Sequence, residues 1–236
     1  MLKVVGLSKS FGSIRVIESF SMEVGSNKIV GIIGPNGAGK TTIFNMITGY
    51  IKPDKGNIWI DEQEVTNQSP EKINRYGVAR TFQIVRPFEN MTVLENVMVG
   101  AFANTSKVRV AQEIAMETLE LVGLQHKAYE KAGKISLPER KQLELARAMA
   151  TRPRYLFLDE VFSGLNPKEI NDIIVLIKNI KEQKKISIIF IEHNVKVISS
   201  ISDKVYVLHH GVVIAEGDPI TVLKNKEVIT AYLGVE

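Results

Sequence analysis

The sequence predicts an α/β protein, in which a mixed, mostly parallel sheet is covered by helices and interrupted by an inserted all-helical segment. Three observations carry that prediction. Short apolar runs rich in Ile and Val alternate with stretches of helical periodicity, the pattern of strands joined through crossover helices. A glycine-rich loop, Gly34-Pro35-Asn36-Gly37-Ala38-Gly39, stands between one such run, Ile29–Ile33, and a segment that reads as a helix from Ile43 to Gly49. Between about residues 85 and 152 the strand-like runs stop and helical periodicity takes over.

Strand candidates in chain order are Leu2–Leu7, Ile29–Ile33, Asn57–Ile60, Gly77–Phe82, Tyr155–Leu158, Ser187–Ile191, Lys204–Leu208 and Val212–Glu216. Helix starts are marked at Ser69-Pro70, Asn166-Pro167 and Asp218-Pro219, where a capping side chain precedes a proline that fits the first turn. After Asn166, residues Ile170, Ile173, Ile174, Ile177 and Ile180 fall on one helical face. In the strand-free stretch Ile114, Ala115, Thr118, Leu119 and Val122 make one stripe, and Leu143, Ala146, Arg147 and Ala150 another. The expected organisation is therefore a core in two parts, 1–84 and 153–236, with a helical subdomain at 85–152. No internal repeat and no low-complexity tract is visible.

At 236 residues the chain is long enough to bury a substantial core. Lys and Arg total 30 against 26 Asp and Glu, a net charge of +4. The one dense basic patch, Lys181, Lys184 and Lys185, has Glu182 among it, so no nucleic-acid partner is demanded. There is no cysteine, which excludes disulfides and thiolate metal sites. No apolar stretch has the length of a membrane span, and Met1-Leu2-Lys3-Val4 does not begin a signal peptide. A soluble, cytoplasmic chain is expected, one that another protein must hold if it works at a membrane.

The loop has specific chemistry. Gly34, four residues, then Gly39-Lys40-Thr41-Thr42 is a phosphate cradle. Its glycines let successive N–H groups turn toward one anion, and the following helix adds its positive end. Lys40 would reach the terminal phosphates of a nucleotide, and the Thr41 hydroxyl would ligate Mg²⁺. A second element is Tyr155-Leu156-Phe157-Leu158-Asp159-Glu160, four apolar residues and then two carboxylates. A buried strand ending this way sets Asp159 at the carboxyl edge of the sheet, where metal and phosphates lie, with Glu160 rotated away as a candidate general base. Read alone, the same residues also fit an ordinary strand running into an acidic turn.

These motifs, with Gln83 after one strand and His193 after another, occur in the order found in ABC-type ATPase subunits, which the chain resembles over essentially its whole length. The stretches GPNGAGKTTIFNMITGYIKPDKG, GVARTFQIVRPFENMTVLENVMVG and IEHNVKVI are similar to those of the ATP-binding subunits of branched-chain amino-acid importers. The resemblance implies a P-loop NTPase core with an antiparallel N-terminal β region, and ATP and Mg²⁺ as ligands. It implies that Gln83 lies near Mg²⁺ and the attacking water, and that the segment from about Ile84 to Val99 faces a membrane partner. It places His193 between the γ-phosphate and the catalytic carboxylate. Phe11 looks like the aromatic that stacks on adenine, although it also fits a core position in the first hairpin. Ser163-Gly164-Leu165-Asn166 resembles the loop that meets the opposite subunit, while Asn166 is also the helix cap noted above.

The chain departs from the general family at one point. Where ABC ATPases carry Leu-Ser-Gly-Gly-Gln, this sequence has Ile135-Ser136-Leu137-Pro138-Glu139. Pro138 has no N–H to offer an anion, and Glu139 adds negative charge. Ser136 and Glu139 also make a plain capping box. With its flanks matching, the segment is still expected to meet the ATP held by a partner cassette.

The resemblance thus implies an ATP-hydrolysing subunit of an importer for branched-chain amino acids or similar solutes. It would lie peripherally on the cytoplasmic face of the membrane, paired with a second cassette, identical or not. Its partners would be integral-membrane permeases and, indirectly, an extracytoplasmic solute-binding protein. Rival readings are an exporter or lipid-transport ATPase, a soluble ABC-type protein of ribosomes or DNA, and a different P-loop enzyme. Against the last, a GTPase or small-molecule kinase, no Asn-Lys-x-Asp guanine motif is present, and Gln83, Glu160 and His193 together fit ATPases better.

Overall fold

The computed structural model describes residues 1–82 and 86–233. A long hairpin, β1 (Leu2–Phe11) and β2 (Ile14–Val24), precedes β3 (Ile29–Ile33), the glycine loop and α1 (Lys40–Ile47). Then come β4 (Lys55–Ile60), β5 (Gln63–Glu64), α2 (Pro70–Arg75) and β6 (Val78–Arg80). Three helices follow, α3 (Val93–Ala101), α4 (Val108–Leu121) and α5 (Leu137–Met149). The chain continues through β7 (Tyr155–Asp159), α6 (Pro167–Lys184), β8 (Ser187–Glu192), α7 (Val195–Ile201), β9 (Lys204–His209) and β10 (Val212–Gly217). Two short helices, α8 (Pro219–Val222) and α9 (Lys226–Leu233), end it.

The strands make two sheets. One is antiparallel, in the order β2-β1-β4-β5; the other runs β10-β9-β3-β8-β7-β6. In the second sheet β9, β3, β8, β7 and β6 are parallel, and β10 joins its edge antiparallel to β9. Every residue of β3, β7 and β8 is buried, as continuous apolar runs require when both faces of a parallel sheet are covered. One face packs on Ile43, Phe44 and Ile47 of α1 and on the N-terminal sheet. The opposite core runs from Ile188 and Phe190 through Ile173, Ile177 and Ile180 of α6 into Val97, Ala115 and Leu143 of the three inserted helices.

The predicted strands recur, with Gly77–Phe82 shortened to β6. The sequence reading has no strand at β2, and the structure explains why. Ile17, Phe20, Met22 and Val24 are its buried residues, and the alternation slips between Ile17 and Phe20 where the β1–β2 register shifts. The marked helix starts hold: Asn166 accepts from the Lys168 and Glu169 N–H groups at 3.0 Å each, and Ser69 and Asp218 occupy the caps of α2 and α8. Helix α1 starts at Lys40, three residues ahead of the predicted Ile43, because the loop feeds it directly. Among the described residues no helix is long and apolar enough to cross a membrane.

Candidate active site

The carboxyl ends of β3, β7 and β8 lie side by side, with β3 in register with β8 and β8 with β7. The loop after β3 turns at Gly34 (φ 149), Gly37 (φ 79) and Gly39 (φ 102). Two of these glycines are enforced by packing: a Cβ on Gly34 would stand 2.0 Å from the Leu208 carbonyl oxygen, and one on Gly39 would stand 2.5 Å from Ile17 Cδ1. The loop is thus wedged between β9 and β2. The Gly211 N–H ties it further, donating to the Ala38 carbonyl at 3.1 Å. Gly39 stands at the N-cap of α1, which has no side-chain cap and no acid in its first turn. Helices α3, α5 and α6 instead place Glu95, Glu139 and Glu169 there. The orphan N–H groups and positive end of α1 are therefore left for an external anion.

Lys40 is buried and donates to the Gly34 and Pro35 carbonyl oxygens at 2.8 Å each. Burial lowers its pKa, while Glu160, Asp159 and Glu192 pull the other way, which sets three carboxylates within electrostatic reach of one ammonium. Asp159 closes β7 and is sealed in the interior. Glu160 follows with φ 46, a left-handed conformation rare for a residue with a Cβ, and its N–H donates to the Ile191 carbonyl at 3.2 Å. The kink separates two adjacent carboxylates into a buried one and a partly exposed one. Glu192, closing β8, is buried and accepts from the N–H groups of His193 at 3.2 Å and Phe162 at 3.4 Å. Desolvation pushes its carboxyl pKa up. The His193 ring lies outside, mostly exposed, with Nδ1 3.9 Å from Glu192.

Sequence reasoning missed Arg80. Its Nη2 donates to Asp159 Oδ2 at 2.6 Å and its Nη1 to Asn45 Oδ1 at 2.6 Å. The guanidinium lies 5.1 Å from the Phe82 ring centroid and 5.9 Å from that of Tyr50. A charged residue inside the predicted strand Gly77–Phe82 was the available signal, since such a residue stays buried only when paired. Glu144 was missed too. It reaches from α5 to accept the Phe82 N–H at 2.8 Å, and burial raises its pKa. Tyr50, Arg80, Phe82, Phe102, Glu144 and Arg147 line part of a cleft of about 730 Å³ beside the inserted helices.

Of the remaining predicted residues, Thr41 is exposed at the start of α1, next to Thr42. Asn36 and Gly37 are exposed on the loop. Gln83 lies outside the described residues. Phe11 is not in the core: it is 47% exposed at the tip of β1, with the Lys9 ammonium 5.6 Å from its ring. At the start of α5, Glu139 accepts from the Ser136 N–H at 2.7 Å and from its hydroxyl at 2.8 Å, so the capping box is formed, with Pro138 in the first turn. Ser163 and Gly164 are exposed, Leu165 is half-buried, and a Cβ on Gly164 would lie 3.2 Å from Leu137. The Thr41 hydroxyl and the Asp159 carboxylate are hard oxygen donors, a set that fits Mg²⁺ when phosphate and water supply its other ligands.

Residues 17–163 match the family model described as ABC transporter. The chain belongs to the ABC transporter family. As a member it is an ATP-binding ATPase subunit. Residues 212–236 of this cassette match a second model, described as branched-chain amino acid ATP-binding cassette transporter. The cassette is 40% identical to the high-affinity branched-chain amino acid transport ATP-binding protein BraF of Pseudomonas aeruginosa, covering 99% of this chain and 98% of the relative. It is equally similar, at 40% and the same coverage, to LivG of Salmonella typhimurium. Among solved structures, an ATP-binding cassette of an ABC transporter in its ADP conformation superposes with a TM-score of 0.91 at 32% identity, covering 100% of this cassette and 99% of that chain.

Proposed function

We propose that this cassette is the ATP-hydrolysing subunit of an importer for branched-chain amino acids. The observation that carries the solute class is the match of residues 212–236 to the branched-chain model, on top of full-length similarity to BraF and LivG. It would sit on the cytoplasmic face of the membrane, held by permease subunits, with a solute-binding protein meeting those permeases outside. Residues 85–152 would act as a helical subdomain, and the cleft at Tyr50, Phe82 and Phe102 would receive the permease. A second cassette, identical or paralogous, would complete each ATP site through its own Ser136–Glu139 segment and the loop at Ser163–Asn166.

The proposed chemistry follows from the site. Residues 34–42 hold the phosphates on backbone N–H groups, and Phe11 stacks on adenine. Lys40 exchanges its carbonyl partners for phosphate oxygens and neutralises charge that builds on them. Glu160 takes a proton from water as its oxygen bonds to the γ-phosphorus and the bond to ADP breaks. His193 and Gln83 orient that water and the phosphate. Mg²⁺, held by Thr41 and Asp159 with Gln83 nearby, would screen the phosphate charge when bound. Copurification with co-expressed permease subunits and reconstitution in liposomes tests the assignment: ATP-driven uptake of leucine, isoleucine or valine is expected. A stable complex that hydrolyses ATP only with an unrelated solute would overturn the solute class.

A further inference from the structure

Asp159 has a competing ligand for its carboxylate. Arg80 Nη2 donates to its Oδ2 at 2.6 Å, and both side chains are almost fully buried, at 6% and 5% exposure. Arg80 is itself anchored by Nη1 on Asn45 Oδ1 at 2.6 Å, while its buried Nε has no partner among the described residues. Nη1 also donates to Thr48 Oγ1 at 3.3 Å, and the buried Phe44 ring centroid lies 5.6 Å from the guanidinium. The Phe82 and Tyr50 rings pack edge to face at 5.6 Å, each about half exposed to the cleft, and both lie within cation–π distance of the guanidinium. A body entering the cleft meets these rings first. The Phe82 backbone is tied to Glu144 on α5, so a shift of α5 also moves the ring against Arg80.

We propose that Arg80 is a positioning residue that holds the Asp159 carboxylate in competition with a divalent cation, and that Tyr50 and Phe82 link this hold to the cleft. While the pair is closed, its net charge is zero and one carboxylate oxygen is occupied. When the rings shift, Arg80 withdraws and the full negative charge faces the cation position. The inference rests on the nucleotide-site reading above, and it makes cation affinity a property that the cleft's occupant controls.

Binding of Mn²⁺ to the full chain with a non-hydrolysable ATP analogue, read as the loss of free-ion paramagnetic signal beyond that caused by the analogue alone, tests it. Arg80→Gln should tighten Mn²⁺ binding by about tenfold, because a unit positive charge is removed from beside a divalent ion. Arg80→Lys, a point charge without the forked geometry, should shift it in the same direction by about threefold. Phe82→Ala should also tighten it, leaving the Arg80–Asp159 pair in place but less supported. If the glutamine variant does not fold, the sign of the lysine shift decides. Unchanged or weaker Mn²⁺ binding, with only lower thermal stability, would make Arg80 a structural strut and overturn the proposal. Analogue binding with Mg²⁺ present separates the two levels: if the wild-type chain binds none, the nucleotide-site reading fails and this proposal with it.

Discussion

Lys40 Nζ donates to the Gly34 carbonyl oxygen at 2.8 Å, so the lysine closes the very loop that presents it. The ammonium is buried, and desolvation lowers its pKa below the ordinary lysine value. A lysine pKa lowered by folding costs stability at every pH below that lowered value, and the cost fades as pH rises toward 10.5. Lys40→Met should therefore melt at the same temperature as wild type or higher. Its ATP affinity, measured by calorimetry, should fall on the order of a hundredfold, the scale of lost charge-assisted hydrogen bonds to phosphate. A variant that loses stability and keeps affinity would contradict the role given to Lys40.

Glu144 supplies a pH signature. Its carboxyl pKa is raised above the ordinary 4.5, chiefly by burial, with the Phe82 N–H opposing. The native state then binds a proton more tightly than the unfolded chain, so this group's contribution falls as pH climbs from 4.5 through the raised value. Glu144→Gln keeps an acceptor for Phe82 and removes the titration. Melting curves from pH 4.5 upward should show the variant gaining on wild type as pH rises through the raised value. A constant difference across that range would contradict the assignment.

Ser136 carries two roles that one variant separates. As the cap of α5 its replacement by alanine should cost about 1 kcal/mol of stability. As a contact to the partner's ATP, the same change should lower hydrolysis about tenfold or more while nucleotide affinity of the isolated chain stays unchanged. A loss of stability with hydrolysis intact would reduce the segment Ile135–Glu139 to a helix start.

How much of this was legible beforehand depends on the range of the interaction. The glycine loop, the Asp159-Glu160 strand end and the Asn166 cap are patterns visible within a few residues of sequence, although Leu208, Ile17 and strand β8 fix the shapes of the first two. Strand β2 was hidden because its register shifts break the alternation that identifies a strand. Arg80–Asp159 and Phe82–Glu144 join positions 79 and 62 residues apart, and no local pattern announces such pairs. Phe11 was open between core and stacking positions, and only tertiary placement puts it at an exposed hairpin tip. The turn at Glu160, at φ 46, is likewise set by the neighbouring strand β8, through the Ile191 carbonyl.

In the proposed function Glu160 is the general base of an ATPase formed by two cassettes. The most direct test is steady-state ATP hydrolysis with Mg²⁺ for wild type and Glu160→Gln, alongside size-exclusion chromatography in ATP. Turnover in the wild type is expected to drop on the order of a hundredfold or more in the variant, the scale of general-base catalysis. The variant should in turn accumulate an ATP-dependent dimer. Equal turnover in the two proteins would rule out Glu160 as the general base.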